Sequence, residues 1–503
     1  MTPRYKQYSL GGRISLGRRE DAQWLFIWVV LGFAAVCGVA IAVLGGLVVA
    51  ILSAILAAVV VTVVTLVNYR VGLWFMIFLL PFSHTALIPH QMFGIAGLNP
   101  LNVIIAGTIG SLVLAWILRP KDFALPRLPY LWWLYVLPIS LAAFHGTFYW
   151  HEIPAIHRGA GSAIATGTAG YLMDVFVKPA TTVVIALVTA IAVRNTGERF
   201  GWLMVPVFLA ATLMALTIPI YASITGVSAL FTSPDKSQQF GATIGMHVNE
   251  LSLLLNTAFA LSLFTWIGTR RGVVKILLAG VIGIVSVAVA LTFSRGGYLG
   301  WLIVVAYLLV TRRKIAWLLG TVVVMAVAVA IMPPEIVERA FFGIQEGDMA
   351  RVSAGRVYDI WLPLLPSLLE SPLFGNGLGS LMWSEPMRRG TMMAVGHTHN
   401  AYLGLVLDLG IVGAVLVWMF WFRLWQGFRA LARELSDPVF RGYFEGASVC
   451  ILVLLVQGLT DDRFTPTGPQ SFIWVSAGIA FGLLGRASTH MAGKPSRSVP
   501  LTR

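Results

Sequence analysis

The chain has 503 residues, of which 58% are hydrophobic and 11% charged, with a mean hydropathy of +0.83 and a formal net charge of +14. Soluble globular proteins carry about 25% charged residues. A chain of this size at half that density could not cover its surface in water. Intrinsic disorder, a collagen-like fibre and a secreted disulfide scaffold are excluded as well. Cys37 and Cys450 both sit in apolar runs, so they imply no disulfide framework. What remains is an all-α polytopic membrane protein, because lipid demands that every open segment satisfy its own backbone.

In chain order, residues 1–23 are basic and polar with no cleavage-site pattern, which reads as a cytoplasmic tail and not a removed signal peptide. Apolar segments long enough to approach a span follow near 24–44, 47–67, 71–88, 101–118, 130–145, 174–193 and 200–225. More follow near 248–268, 274–293, 298–311, 316–332, 399–422, 444–460 and 470–487. Several are short or interrupted by Pro and Gly, so 12–14 transmembrane helices are expected. The organisation is then helices over 24–332 with short loops, a large outer loop over 333–398, helices over 399–487, and a polar tail over 488–503. Most of the 35 Lys and Arg fall in one alternate set of connections, which places both termini on the cytoplasmic side. The basicity is therefore a topology signal, and no nucleic-acid partner is needed to explain it.

The chemistry concentrates on the outer side. Eight of the nine histidines (His84, His90, His145, His151, His157, His247, His397 and His399) lie there, and His490 alone lies inside. His399, in Gly396-His-Thr-His-Asn400, sits where the long polar loop joins an apolar helix. An imidazole there, with its ordinary pKa near 6.5, is suited to general-base work at neutral pH. Arginine is depleted on this side, so the exceptions matter. Arg295, in Thr292-Phe-Ser-Arg-Gly-Gly-Tyr298, occupies a tight break between apolar segments. It can snorkel to headgroups, or its planar fork can hold a phosphate. Arg351 and Arg356 in the long loop could converge on the same anion, whereas Arg388 and Arg389 read as solvated charges. Lys178 follows Asp174 by four residues, the spacing of a helical ion pair. Asp408 lies nine residues beyond His399, which on a continuous helix puts the two on opposite faces. It reads as a residue that holds neighbouring helices. No Cys/His cluster has zinc spacing, Asp461-Asp462 is the one adjacent acid pair in an outer loop, and P-loop, Rossmann and kinase signatures are absent.

Taken in order, a set of short motifs resembles the O-antigen ligase/polymerase superfamily of bacterial envelope glycan assembly. They are Gly241-Ala-Thr-Ile-Gly-Met-His-Val-Asn249-Glu, Ser294-Arg295-Gly-Gly, Gly355-Arg356 with Trp361, Glu370-Ser-Pro-Leu-Phe-Gly-Asn-Gly-Leu-Gly379, and His399-Asn400-Ala-Tyr-Leu with Gly410-Ile-Val-Gly413. The resemblance implies a bacterial inner-membrane enzyme with its site facing the periplasm. It would transfer glycan from undecaprenyl diphosphate to a lipid A–core hydroxyl, with no metal and no cofactor. His399 would be the general base, Arg295, Arg356 and Arg351 would hold the diphosphate, and Asn400, Asn249 and His397 would support them. The ligase reading stands beside polymerase and protein O-oligosaccharyltransferase readings within the superfamily. A secondary transporter is the reading from a different class, although transporters tend to carry ionisable groups near the midplane.

Overall fold

The computed structural model describes residues 68–89, 91–92, 95–96, 99–118, 120, 124–125, 130–155, 167–196, 200–225, 239–241, 243–313, 319–320, 353, 355–460 and 463–492. Every candidate span that falls among them contains a helix, and the protein is an all-α polytopic membrane protein. The candidates at 24–44 and 47–67, and nearly all of 316–332, lie outside the described residues. So do the 1–23 tail, most of the final tail, Arg351 and the Asp461-Asp462 pair.

The helices are α1 (Tyr69–Leu79), α2 (Pro100–Leu118), α3 (Tyr130–Gly146), α4 (Thr168–Thr196), α5 (Met204–Thr225) and α6 (Val248–Gly268). They continue with α7 (Gly272–Leu291), α8 (Arg295–Arg312), α9 (Leu362–Glu370), α10 (Glu385–Arg389), α11 (Ala401–Glu434), α12 (Pro438–Gln457) and α13 (Ser471–Ala492). Seven of these segments are long and apolar enough to cross a membrane, among them α6, α7, α11 and α12. Between α1 and α2, Gln91–Met92 and Ile95–Ala96 form a two-residue antiparallel ladder. The last helix runs five residues beyond the expected end at 487, since nothing from 488 to 492 breaks it.

Burial shows which helices form the centre. On α6, every residue from Leu251 to Thr265 is buried, whereas α7 leaves Val273, Ile276 and Leu277 about two-thirds or more exposed, as a lipid-facing stripe would. The α6–α12 contact is close because α12 offers glycines. A Cβ on Gly446 would lie 2.7 Å from the Ala260 carbonyl oxygen, and one on Gly442 would collide with the Phe264 carbonyl. Small residues of this kind let helix backbones approach where lipid supplies no hydrophobic drive between helices.

A second cluster fixes one end of the bundle. Tyr135, Phe420, Trp421 and Trp474 pack ring against ring, with Tyr135 and Phe420 centres 4.4 Å apart. The Tyr135 hydroxyl and the Trp421 indole N–H both donate to the Phe464 carbonyl, at 2.8 and 3.2 Å. Two buried donors on one carbonyl tie down the connection between α12 and α13, since each would cost free energy if left unsatisfied.

Candidate active site

The long polar loop before α11 is folded where it is described. After a π-turn at Val357–Trp361 and α9, residues 371–384 lie across the ends of α3, α4 and α11. Leu378 N–H donates to the Ala142 carbonyl at 2.9 Å, and the Tyr171 hydroxyl donates to the Leu378 carbonyl at 2.5 Å. The loop meets α11 at a break: Gly410 has φ 66° and ψ −179° inside an otherwise helical segment. A side chain is strongly disfavoured there, and a Cβ would collide with the Leu373 carbonyl. At that break Ile411 and Val412 N–H groups donate to the carbonyls of Pro372 and Leu373. The other connection, after α3, reaches the same loop: Tyr149 stacks on Trp383, and Arg388 pairs with Glu152 at 2.6 Å. Arg388 and Arg389 are thus ion-paired, the latter with Glu385, although both remain largely exposed. Lys178 and Asp174 form the expected pair.

His399 lies in a turn of unusual backbone. Its φ of 51° is left-handed, a region where non-glycine residues are uncommon and histidine is among the few enriched. Helix α11 begins two residues later than expected, with Asn400 as its N-cap, its side-chain oxygen accepting from Tyr402 and Leu403 N–H at 3.0 and 3.1 Å. The turn is closed by Thr398, whose hydroxyl donates to the Asn400 carbonyl at 2.7 Å, and by Trp361, whose indole N–H donates to the Thr398 carbonyl at 2.9 Å. His399 N–H donates to Nδ1 of His397 at 3.3 Å, and the two rings lie 4.0 Å apart.

The Arg295 turn is built by a buried chain of polar groups. Ser294 caps α8, its hydroxyl accepting from Gly297 N–H at 3.0 Å and donating to the Asn249 side chain at 2.7 Å. Below it, Gln457 donates to Ser252 at 3.1 Å and Asn256 donates to the Gly297 carbonyl at 2.8 Å. Arg356 donates to the Thr460 carbonyl. A Cβ on Gly296 would lie 2.6 Å from the Thr460 hydroxyl, so Thr460 stands between Arg356 and the start of α8. Opposite, His247 caps α6 and its ring lies 6.1 Å from that of His399. The structure therefore gathers His399, His397, Asn400, Asn249, Arg295 and Arg356 at one end of the bundle, the His397–Asn400 turn through local contacts and the rest through links between segments far apart in sequence, such as Ser294 to Asn249 and Arg356 to Thr460. His247, Ser294, Gln457 and Thr460 belong with them. Of these, His247 carried a legible signal, because a polar residue followed three positions later by Glu250 has capping-box spacing.

Asp408 corrects the sequence reading. Its carboxylate accepts from Ser380 N–H and Oγ at 3.0 and 2.8 Å, so it holds the long polar loop and not a neighbouring helix. It also lines a pocket with His397, Thr398 and Arg463. Counting rotation from His399 fails because His399 is not part of the helix. Among the described residues, no group of three or more His, Cys, Asp or Glu side chains is arranged to hold a metal ion.

Three helix N-termini (α6, α8 and α11) thus meet at one end, with two arginines and three imidazoles, beneath a folded loop. Unpaired N–H groups and aligned peptide dipoles make such ends favourable for anions. This is a multi-pass membrane protein with a cluster of imidazoles, arginines and capped helix starts at one end of its bundle. Residues 280–418 match the family model described as O-Antigen ligase, so that segment is similar to O-antigen ligase-type proteins. The chain is also 25% identical over 226 residues to an uncharacterized protein of Haemophilus influenzae, a stretch that covers 39% of this chain and 55% of that relative. The chain thus spans about half the length of the curated relative it matches.

Proposed function

We propose that the protein is an O-antigen ligase: a glycosyltransferase that moves glycan from undecaprenyl diphosphate to a sugar hydroxyl of lipid A–core on the periplasmic side of the inner membrane. The observation that carries the reading is the His399 turn, an imidazole held at a left-handed backbone position at the start of α11, 6.1 Å from the ring of the residue that caps α6. His399 takes the proton of the acceptor hydroxyl as its oxygen bonds to the anomeric carbon. The bond from that carbon to the diphosphate oxygen breaks on the opposite face, so configuration inverts. Arg295 and Arg356 hold the diphosphate and offset the charge that builds on it as it leaves, with Arg351 as a further candidate ligand. Asn400, Asn249 and His397 fix the geometry. The diphosphate is already a good leaving group, so positioning and charge stabilisation supply most of the needed acceleration. The polyprenyl tail remains in lipid.

The test is transfer by purified protein with undecaprenyl-diphosphate-linked glycan and lipid A–core, in the presence of EDTA. A higher-mass lipopolysaccharide ladder from the wild type, absent with His399→Ala and Arg295→Ala, is expected. A ladder that grows while still attached to the undecaprenyl lipid would replace ligase with polymerase. No product from folded wild type would overturn the enzyme reading.

A further inference from the structure

The three imidazoles are not equivalent. Nδ1 of His397 accepts from His399 N–H, and Nδ1 of His247 accepts from Asn249 N–H, each at 3.3 Å. A backbone N–H can only donate, so each of those nitrogens presents its lone pair. By this hydrogen-bond pattern the single proton of each neutral ring sits on Nε2. Both rings are therefore held as Nε2–H donors by the caps and turns that contain them.

Spacing then separates the two. An oxygen about 2.8 Å from one nitrogen on each of two rings requires ring centres roughly 5–8 Å apart. His247 and His399 are 6.1 Å apart, within that range, whereas His397 and His399 at 4.0 Å are in direct ring contact. We infer that His247 is a further substrate-binding residue of this site: its Nε2–H donates to the acceptor hydroxyl oxygen whose proton His399 removes. The inference rests on the proposed transfer reaction. It accounts for all four directions around that oxygen: its own sugar carbon, the proton bound for His399, one lone pair held by His247, and one lone pair for the anomeric carbon. His397 keeps its place as the residue that orients the His399 backbone.

The test exploits the cap. Asparagine is among the best N-cap residues, so His247→Asn keeps an acceptor for Asn249 N–H but removes the distant donor. His247→Gln places an amide N–H near the position of Nε2. Kinetics with the full-length protein in nanodiscs should show His247→Asn folded like the wild type, with kcat/KM for lipid A–core reduced roughly 10- to 100-fold and the KM for donor unchanged. His247→Gln should recover part of that loss. A His247→Asn protein with wild-type acceptor kinetics would reduce His247 to a helix cap and overturn the inference. A parallel measurement without donor, the binding of fluorescent lipid A–core, separates the two levels. If the wild type transfers nothing yet binds lipid A–core more tightly than His247→Asn does, the transfer reading fails and the contact stands. If neither transfer nor binding depends on His247, the inference fails by itself.

Discussion

Replacing Ser294 with alanine tests how the Arg295 turn is held. The residue is 3% exposed and its hydroxyl does two things: it accepts from Gly297 N–H at 3.0 Å and donates to the Asn249 amide oxygen at 2.7 Å. Loss of an N-cap costs about 1 kcal/mol. Stranding the Asn249 oxygen costs about 1 kcal/mol more, at the low end of the usual range because Asn249 is only half-buried. For a chain of this length, a total of about 2 kcal/mol corresponds to a fall in Tm of roughly 2 °C. The effect on function should exceed the effect on stability, because Arg295 is the first residue of the helix that Ser294 caps. A shift of that turn should raise the donor KM roughly 5- to 10-fold with less change in the acceptor KM. Thermal unfolding in detergent and two-substrate kinetics read both quantities, with Ser294→Thr as the variant that retains both hydrogen bonds. A Ser294→Ala protein with Tm within about 1 °C of wild type and an unchanged donor KM would refute the account.

Gly410→Ala should abolish folding of the long polar loop and with it transfer, because no L-residue suits its backbone and the Leu373 carbonyl occupies the space; protease mapping of residues 371–384 would show it. Gly300→Ala puts a methyl 2.5 Å from the Asn256 amide nitrogen and 2.9 Å from Gln457, in a packed core, and should cost about 2–3 kcal/mol, readable as a lower Tm. Trp361→Phe removes the donor to the Thr398 carbonyl and should cost about 1 kcal/mol, with a larger fall in kcat than in Tm because the His399 turn loosens. Swapping the charges of one ion pair, Glu152→Arg together with Arg388→Glu, should change Tm by less than about 1 °C, since both side chains are partly exposed and such pairs contribute little.

The spans were legible because lipid allows only long apolar runs, and α6, α7, α11 and α12 follow such runs directly. His399 and Arg295 were legible for a related reason: polar residues at the border of an apolar chain are exceptions that need a cause. What could not be read was how separate helix ends meet. Nothing in the order of residues brings Thr460 to Arg356 or His247 to His399, since those contacts depend on how helices far apart in sequence pack. Asp408 was misplaced for a local reason. Nine residues from His399 give a rotation only on a continuous helix, but His399 is itself left-handed and the N-cap Asn400 separates it from the first helical turn.

The helix that carries His247 has a consequence for sites far from the chemistry. Helix α6 is 21 residues long, about 31 Å end to end, and its far half is gripped backbone to backbone by Gly442 and Gly446. A rod fixed in this way acts as a ruler: the grip at one end sets the distance between imidazoles at the other. Bulk added at Gly446, well away from any substrate, would slide or tilt the rod and alter the His247–His399 gap. Loss of function there would come from a change of length, and not from the loss of any group that meets the sugar.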